Sequence, residues 1–211
     1  YAFHQLNNTT DYTPNEYKEK IRISSTYSNL TFGINKTYLT IGINRDGSST
    51  FGKDNRFSYF PRASFSWLFS DKVTLPAVNK GLLRAAWGRA GSEPDAYLTK
   101  SAFYISSFSD GWGPELSSIY NGFGGFISGT TKPNPDIKPE LVTELEYGMD
   151  VELLNNKVNL SLTSYIQTTE DAILYVPAAP TTGYAYELQN AATIENKGLE
   201  ISIGADLFET V

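Results

Sequence analysis

The chain has 211 residues, 17 Lys+Arg against 23 Asp+Glu, a formal net charge of −6 and a pI near 4.9, with no basic cluster, which argues against a nucleic-acid partner. It has no cysteine and one histidine, His4, so disulfide scaffolds, thiol catalysis and His/Cys zinc sites are excluded. No apolar run approaches the ~18 residues of a membrane helix, while an aromatic share of 14% suits either a soluble β-protein or the interfacial girdles of a membrane barrel.

In chain order, the opening YAFHQLNNTTDY reads as loop, with no secretory signal pattern, and predicts that the chain is a piece of a longer protein. A turn at Asn35-Lys36 places Phe32 opposite Leu39 and Leu30 opposite Ile41. Leu39, Ile41 and Ile43 alternate with Thr40, Gly42 and Asn44, which predicts a strand with one apolar face. Arg45-Asp46-Gly47-Ser48 reads as the start of a loop, with Gly47 in a turn and Arg45 paired to a carboxylate. Ala63, Phe65 and Trp67 alternate with Arg62, Ser64 and Ser66, and Leu83, Ala85 and Trp87 with Arg84, Ala86 and Gly88. Asn134-Pro135-Asp136 and Glu195-Asn196-Lys197-Gly198 read as turns that set strand entry.

The clearest pattern is LVTELEYGMDVELLNNKVNLSLTSYI, Leu141 to Ile166. Leu145, Met149, Val151 and Leu153 share one parity, and Glu144, Glu146, Asp150 and Glu152 the other. With Asn155-Asn156 as a two-residue turn, opposed residues sum to 311. Leu153 then meets Val158, Val151 meets Leu160, Met149 meets Leu162 and Leu145 meets Ile166, while Glu152 meets Asn159 and Asp150 meets Ser161. Leu199, Ile201 and Ile203 alternate with Glu200, Ser202 and Gly204 in a last strand. Connections alternate between short (35–36, 71–81, 155–156) and long (45–58, 91–139, 169–197). This puts the long loops at one end of an antiparallel sheet, as in an outer-membrane barrel. The apolar face is then expected to meet lipid, and the acidic face, Glu144, Glu146, Asp150 and Glu152, the lumen. The acidic line could instead suggest a cation site or a glycosidase pair, but its residues repeat along one face and nothing marks two carboxylates held across a substrate. Candidate ligand contacts are the aromatic side chains of the long loops: Tyr104, Phe108, Trp112, Tyr120, Phe123, Phe126, Tyr184 and Tyr186. A packed loop cluster accounts for the same residues.

Four blocks carry a family likeness. INRDGSSTFGKDNRFSYFPRASFSWLFSD (Ile43 to Asp71) resembles an R-x-DGSS-x-F segment followed by FPS-like residues and a strand ending in Trp. LLRAAWGRAG (Leu82 to Gly91) resembles LKLRASYG-x-x-G; NPDIKPE, opening at Asn134, resembles NP-x-LK-x-E; and ATIENKGLEISIGAD (Ala192 to Asp206) resembles G-x-x-x-NKG-x-E-L, with Ala192 where Gly is usual. By these blocks the chain resembles the SusC/RagA family of TonB-dependent outer-membrane transporters. The resemblance implies an all-β fold, a middle-to-late segment of a large, 22-stranded, plugged transmembrane barrel. Residues 1–211 would then be one part of that barrel domain, with signal peptide, plug and terminal strands outside it. It further implies the outer membrane of a Gram-negative, Bacteroidetes-type cell and import of oligosaccharides or peptides with a SusD-like surface lipoprotein. Energy would come from the TonB complex acting through the plug, with no catalytic residue, cofactor or metal. A soluble aromatic-rich β-sandwich that binds glycans and a passive porin-like barrel are the rival readings.

Overall fold

The computed structural model describes residues 18–104 and 126–206 in full, and between them the backbone of a few two-residue strands. Seven long strands form an antiparallel meander: β1 (Ile23–Ile34), β2 (Thr37–Ser48), β3 (Phe57–Leu68), β4 (Val78–Ser92), β5 (Glu140–Leu153), β6 (Val158–Pro177) and β7 (Tyr186–Ala205). A short segment, Thr131–Lys132, runs parallel to the start of β7 and completes an eight-stranded sheet. No second sheet of comparable size exists among the described residues. The apolar face of this sheet is therefore uncovered, which a soluble sandwich could not tolerate.

Both expected turns form. Asn35 and Lys36 have φ of 48° and 57°, and Asn155 and Asn156 have 57° and 65°, the doubly positive geometry that matches strand twist in a two-residue hairpin. The registers follow, with Phe32 opposite Leu39, and Leu153:Val158 through Leu141:Glu170 paired without interruption between β5 and the first thirteen residues of β6. The Asn79 side chain caps the second turn, its Oδ1 accepting from Asn155 N at 2.7 Å and Asn156 N at 3.3 Å. At the same end of the sheet Lys36 Nζ donates to Asp71 Oδ1 at 2.6 Å, and this bond holds the Asp71 carboxyl below its ordinary value. A depressed carboxylate stabilises the folded state above its unfolded pKa, and that contribution is lost as pH falls through the folded value.

Several sequence expectations are corrected. Arg45-Asp46-Gly47-Ser48 closes β2 rather than opening a loop, and Arg45 stacks 3.8 Å above the Phe57 ring instead of pairing with a carboxylate. Glu195–Gly198 lies inside β7, not in a turn. The expected long connection at 169–197 is mostly strand: β6 and β7 each run 20 residues and leave 178–185 as the link. A bulge with Asp171 at φ 55° interrupts their register between Thr169 and Ala172.

Asn134-Pro135-Asp136 is a turn, as expected, and also a brace. Asp136 N bonds Asn134 Oδ1 at 3.0 Å; Gly52 N donates to Ile137 O at 3.2 Å, and Asn55 Nδ2 to Asp136 O at 3.1 Å. On its other side Asn134 Nδ2 reaches Leu188 O at 3.0 Å, and the Asn190 amide holds both Lys138 N and Lys138 O at 3.1 Å. The segment ties the β2–β3 connection to the β6–β7 hairpin, and Ile137 and Leu188 are fully buried there. Because Asn adopts the φ of 65° at position 156 far more readily than a β-branched residue, replacing Asn156 with Val should cost about 1–2 kcal/mol, whereas Asn156→Gly should be neutral or stabilising. The temperature at which the unboiled, full-length protein loses its folded-form gel mobility measures both.

Candidate functional site

A single line of direct cross-strand neighbours runs through Leu30, Ile41, Ala63, Trp87, Leu145, Ile166 and Lys197. Above it, the first polar residue of the apolar face is Arg45 on β2, four residues up the strand. On β4, β5 and β6 it is Arg89, Thr143 and Thr168, two residues up, and on β7 it is Lys197, in the line itself. The edge strand β1 is already polar at Ser28, two residues up. At the lower end the polar residues that close the strands move the same way, with Lys36 in the turn five residues below the line, Asn79 eight below and Asp206, just past β7, nine below. From β2 to β7 the apolar band thus slips about four residues relative to the hydrogen-bond rows, with β3 as the exception, its outward face carrying Pro61, Tyr59 and Phe57 up to six residues above the line.

At ~3.3 Å per residue and ~4.8 Å between strands, a slip of this size corresponds to a tilt of about 30° between the strands and the band normal. A level hydrophobic slab crossed by tilted strands demands such a slip, and on β5 the band, Leu145 to Leu153, covers about 23 Å after allowing for a barrel-like tilt. Its side chains are open: Ile41 is 50% exposed and Ile201 61%. Phe69 folds back over Gly81, where a Cβ would lie 2.1 Å from its ring, and meets Trp67 edge-on at 6.1 Å, giving the band an aromatic lower margin.

The opposite face is polar and internally bonded. Glu144, Glu146, Asp150 and Glu152 all lie on it, half-buried, and each has a partner. Arg84 is the hub: its guanidinium pairs with Glu146, reaches Asp150 Oδ2 at 3.1 Å and donates to Thr163 Oγ1 at 2.5 Å. Ser161 Oγ donates to Asp150 Oδ1 at 2.6 Å, Gln167 Nε2 to Glu144 Oε2 at 2.7 Å and Lys80 Nζ to Glu152 Oε1 at 2.9 Å. Gly148 sits directly opposite Arg84, and a Cβ there would fall 2.4 Å from the guanidinium carbon. The sequence marked the acids but not this hub; an Arg facing a strand glycine was the available signal. Among the described residues no group of three or more His, Cys, Asp or Glu is arranged to hold a metal. Beside the network a groove of about 510 Å³ has a floor of small residues, Ser64, Ala86, Gly88 and Ala90, and walls that include Arg62 and Gln167.

Of the aromatic candidates, Tyr104 and Phe126 stand at the root of the 93–139 connection, 57% and 65% exposed. Tyr104 pairs with Ile127 there, in a stem closed by Gly129 N to Ala102 O at 2.8 Å. Tyr186, exposed, opens β7 beside Thr131, and Tyr184 is half-buried in the preceding link. The side chains of Phe108, Tyr120 and Phe123, and all of Trp112, lie outside the described residues. Replacing Arg84 with Ala leaves Glu146 and Asp150 without their cation and should cost about 2 kcal/mol in urea unfolding of the full-length protein. In Arg84→Ala/Glu146→Ala the two losses should be less than additive.

The family model for the TonB dependent receptor-like β-barrel matches residues 1–210. A TonB-dependent receptor of Formosa agariphila is 30% identical over 187 residues, covering 87% of this chain and 17% of that protein. The TonB-dependent receptor SusC of Bacteroides thetaiotaomicron is 27% identical over 199 residues, covering 90% and 19%. The structure superposes on that of the RagAB peptide transporter with a TM-score of 0.77 at 21% identity, over 90% of this chain and 20% of that one. It superposes on the siderophore receptor PirA of Pseudomonas aeruginosa with a TM-score of 0.60 at 19% identity, over 90% and 32%. The chain therefore spans less than a fifth of the length of the curated relatives named here. With its tilted apolar band, its bonded polar face and this match over nearly every residue, the chain belongs to the TonB-dependent receptor β-barrel family of the outer membrane.

Proposed function

We propose that residues 1–211 form a wall sector of a single plugged barrel, and that the whole protein is an active importer of the SusC/RagA type. The observation that carries this is the two-faced sheet: an uncovered apolar band with a level, membrane-like boundary on one side and a satisfied polar network on the other. In this reading Leu145, Met149, Val151, Leu160 and Leu162 meet lipid. Glu144, Glu146, Asp150 and Glu152 line the lumen, and the groove floored by Ala86 and Gly88 faces the plug.

The substrate is a bulky nutrient, an oligosaccharide or a peptide, delivered from the side of the long 93–139 connection with a SusD-like lipoprotein capping that end. Uptake draws on the TonB complex through the plug and breaks no covalent bond. The likeness to the RagAB peptide transporter supports a peptide among the cargoes, and the exposed aromatic faces of Tyr104, Phe126 and Tyr186 support contact with sugar rings or apolar side chains.

Cells carrying the full-length gene should accumulate the cargo only while the proton-motive force is intact, and a protonophore should abolish uptake. Uptake that continues unchanged under the protonophore would establish the passive porin instead. Replacing Tyr104, Phe126 and Tyr186 together with Ala should weaken cargo binding about tenfold with surface expression unaltered.

A further inference from the structure

The cations at the upper boundary of the apolar face are not equivalent. Arg89 lies 3.7 Å from Glu170 and Lys197 lies 2.8 Å from Glu195, so both are neutralised. At the β1–β3 sector three arginines gather with no carboxylate in salt-bridge reach among the described residues: Arg22, Arg45 and Arg56. All three are exposed. They surround Phe57, the outward residue opposite Gly47.

The arrangement is built rather than incidental. Gly47 lets the Phe57 ring lie against the backbone, since a Cβ there would be 2.5 Å from it. Arg45 stacks on that ring at 3.8 Å, which fixes the guanidinium plane while leaving its edge donors free. Arg22 is held to the next connection at both backbone groups, its N to Ser49 Oγ at 3.0 Å and its carbonyl from Ser49 N at 2.9 Å. Arg56 is held by its carbonyl, which accepts from Ser48 N at 3.2 Å. Arg22, Arg56, Ser24, Ser49 and Phe57 line a groove of about 310 Å³, and Arg45 stacks on the same Phe57 ring.

We propose that this groove binds the phosphorylated sugar headgroup of an outer-leaflet glycolipid. The proposal rests on the reading of the apolar face as the lipid face. Directly above that band lie the headgroups, and a guanidinium matches a phosphate through two parallel hydrogen bonds. The groove has room for a phosphorylated sugar rather than a bare anion, and the Ser24 and Ser49 hydroxyls add neutral partners for ring hydroxyls. In a chain of net charge −6, three arginines without a salt-bridge partner among the described residues, Arg45 four residues above the cross-strand line and Arg56 and Arg22 seven and eight above it, mark a cationic site. It would anchor this sector of the barrel to the outer leaflet on the side away from the lumen.

The test uses the full-length protein in lipid nanodiscs, with bisphosphorylated lipid A as probe and its enzymatically dephosphorylated form as control, and reads retained lipid by native mass spectrometry. Wild type should retain the phosphorylated form at least about tenfold better than the Arg22→Gln/Arg45→Gln/Arg56→Gln variant. It should hold the dephosphorylated form no better than that variant does. Arg89→Gln, whose cation is already paired, should match wild type. Single Arg45→Gln and Arg56→Gln proteins should each show a partial loss, which keeps the test decisive should the triple variant not assemble. Equal retention by wild type and by variants that keep the folded-form gel mobility would overturn the proposal. So would displacement of the lipid by inorganic phosphate, which would assign the site to a free anion. Failure of wild type itself to show a folded barrel in the outer membrane would instead remove the membrane reading beneath it.

Discussion

Within a bilayer no water is available to pair a stray backbone N–H or C=O, so every strand must be bonded on both sides and the sheet must close. That constraint accounts for the long registers from β1 to β7 and for a sheet that has a dry face and a wet face but no hydrophobic core of the usual kind. Among the described residues six apolar side chains are buried: Phe51, Phe60, Ile137, Ala172 and Leu188 gather at the end bearing the long connections, and Val151 lies near the opposite turn. Packing energy that a soluble domain would draw from its interior is, in the proposed membrane setting, supplied by lipid on one side and by polar bonds on the other.

The polar face shows how the second half of that arrangement works. An acidic line along one strand would repel itself in isolation. Arg84, Lys80, Gln167, Ser161 and Thr163 from the two flanking strands convert it into a satisfied lattice, and Gly148 makes the space that lets Arg84 reach Glu146 and Asp150 together. Charge-assisted bonds of this kind fix the polar wall, while leaving the small-residue floor around Ala86 and Gly88 open. Above the band the brace at Asn134–Lys138 takes over, joining loops far apart in sequence through backbone groups and amide side chains.

The parts of the fold inside the membrane band were legible in the sequence because lipid and water impose opposite preferences on alternate residues. The pairing of Leu141–Leu153 with Val158–Glu170 followed from arithmetic on a single turn, and the structure keeps it without a slip. Above the band both faces are wet, alternation fades, and Gly, Asn and Thr appear on both parities. Strand pairing continues there without an apolar signature, so β6 and β7 ran far past the expected loop boundary, and Glu195–Gly198 passed for a turn. The Asp171 bulge hid the continuity further by shifting the register. Arg45 was misread for a related reason: its partner, the Phe57 ring, becomes a neighbour only through strand pairing. The brace joins residues more than 50 apart through backbone atoms, which no pattern of side chains announces.

The most direct test of the account exploits the absence of native cysteine in this chain. Single cysteines at Leu145, Glu146, Met149, Asp150, Val151 and Glu152 in the full-length protein, each carrying a small fluorophore, can be quenched either by bromine on lipid acyl chains or by iodide in water. Labels at 145, 149 and 151 should be quenched by the brominated lipid and protected from iodide, and those at 146, 150 and 152 should show the reverse. Quenching by brominated lipid on the even positions, or no alternation between the two sets, would contradict the assignment of the two faces on which everything else depends.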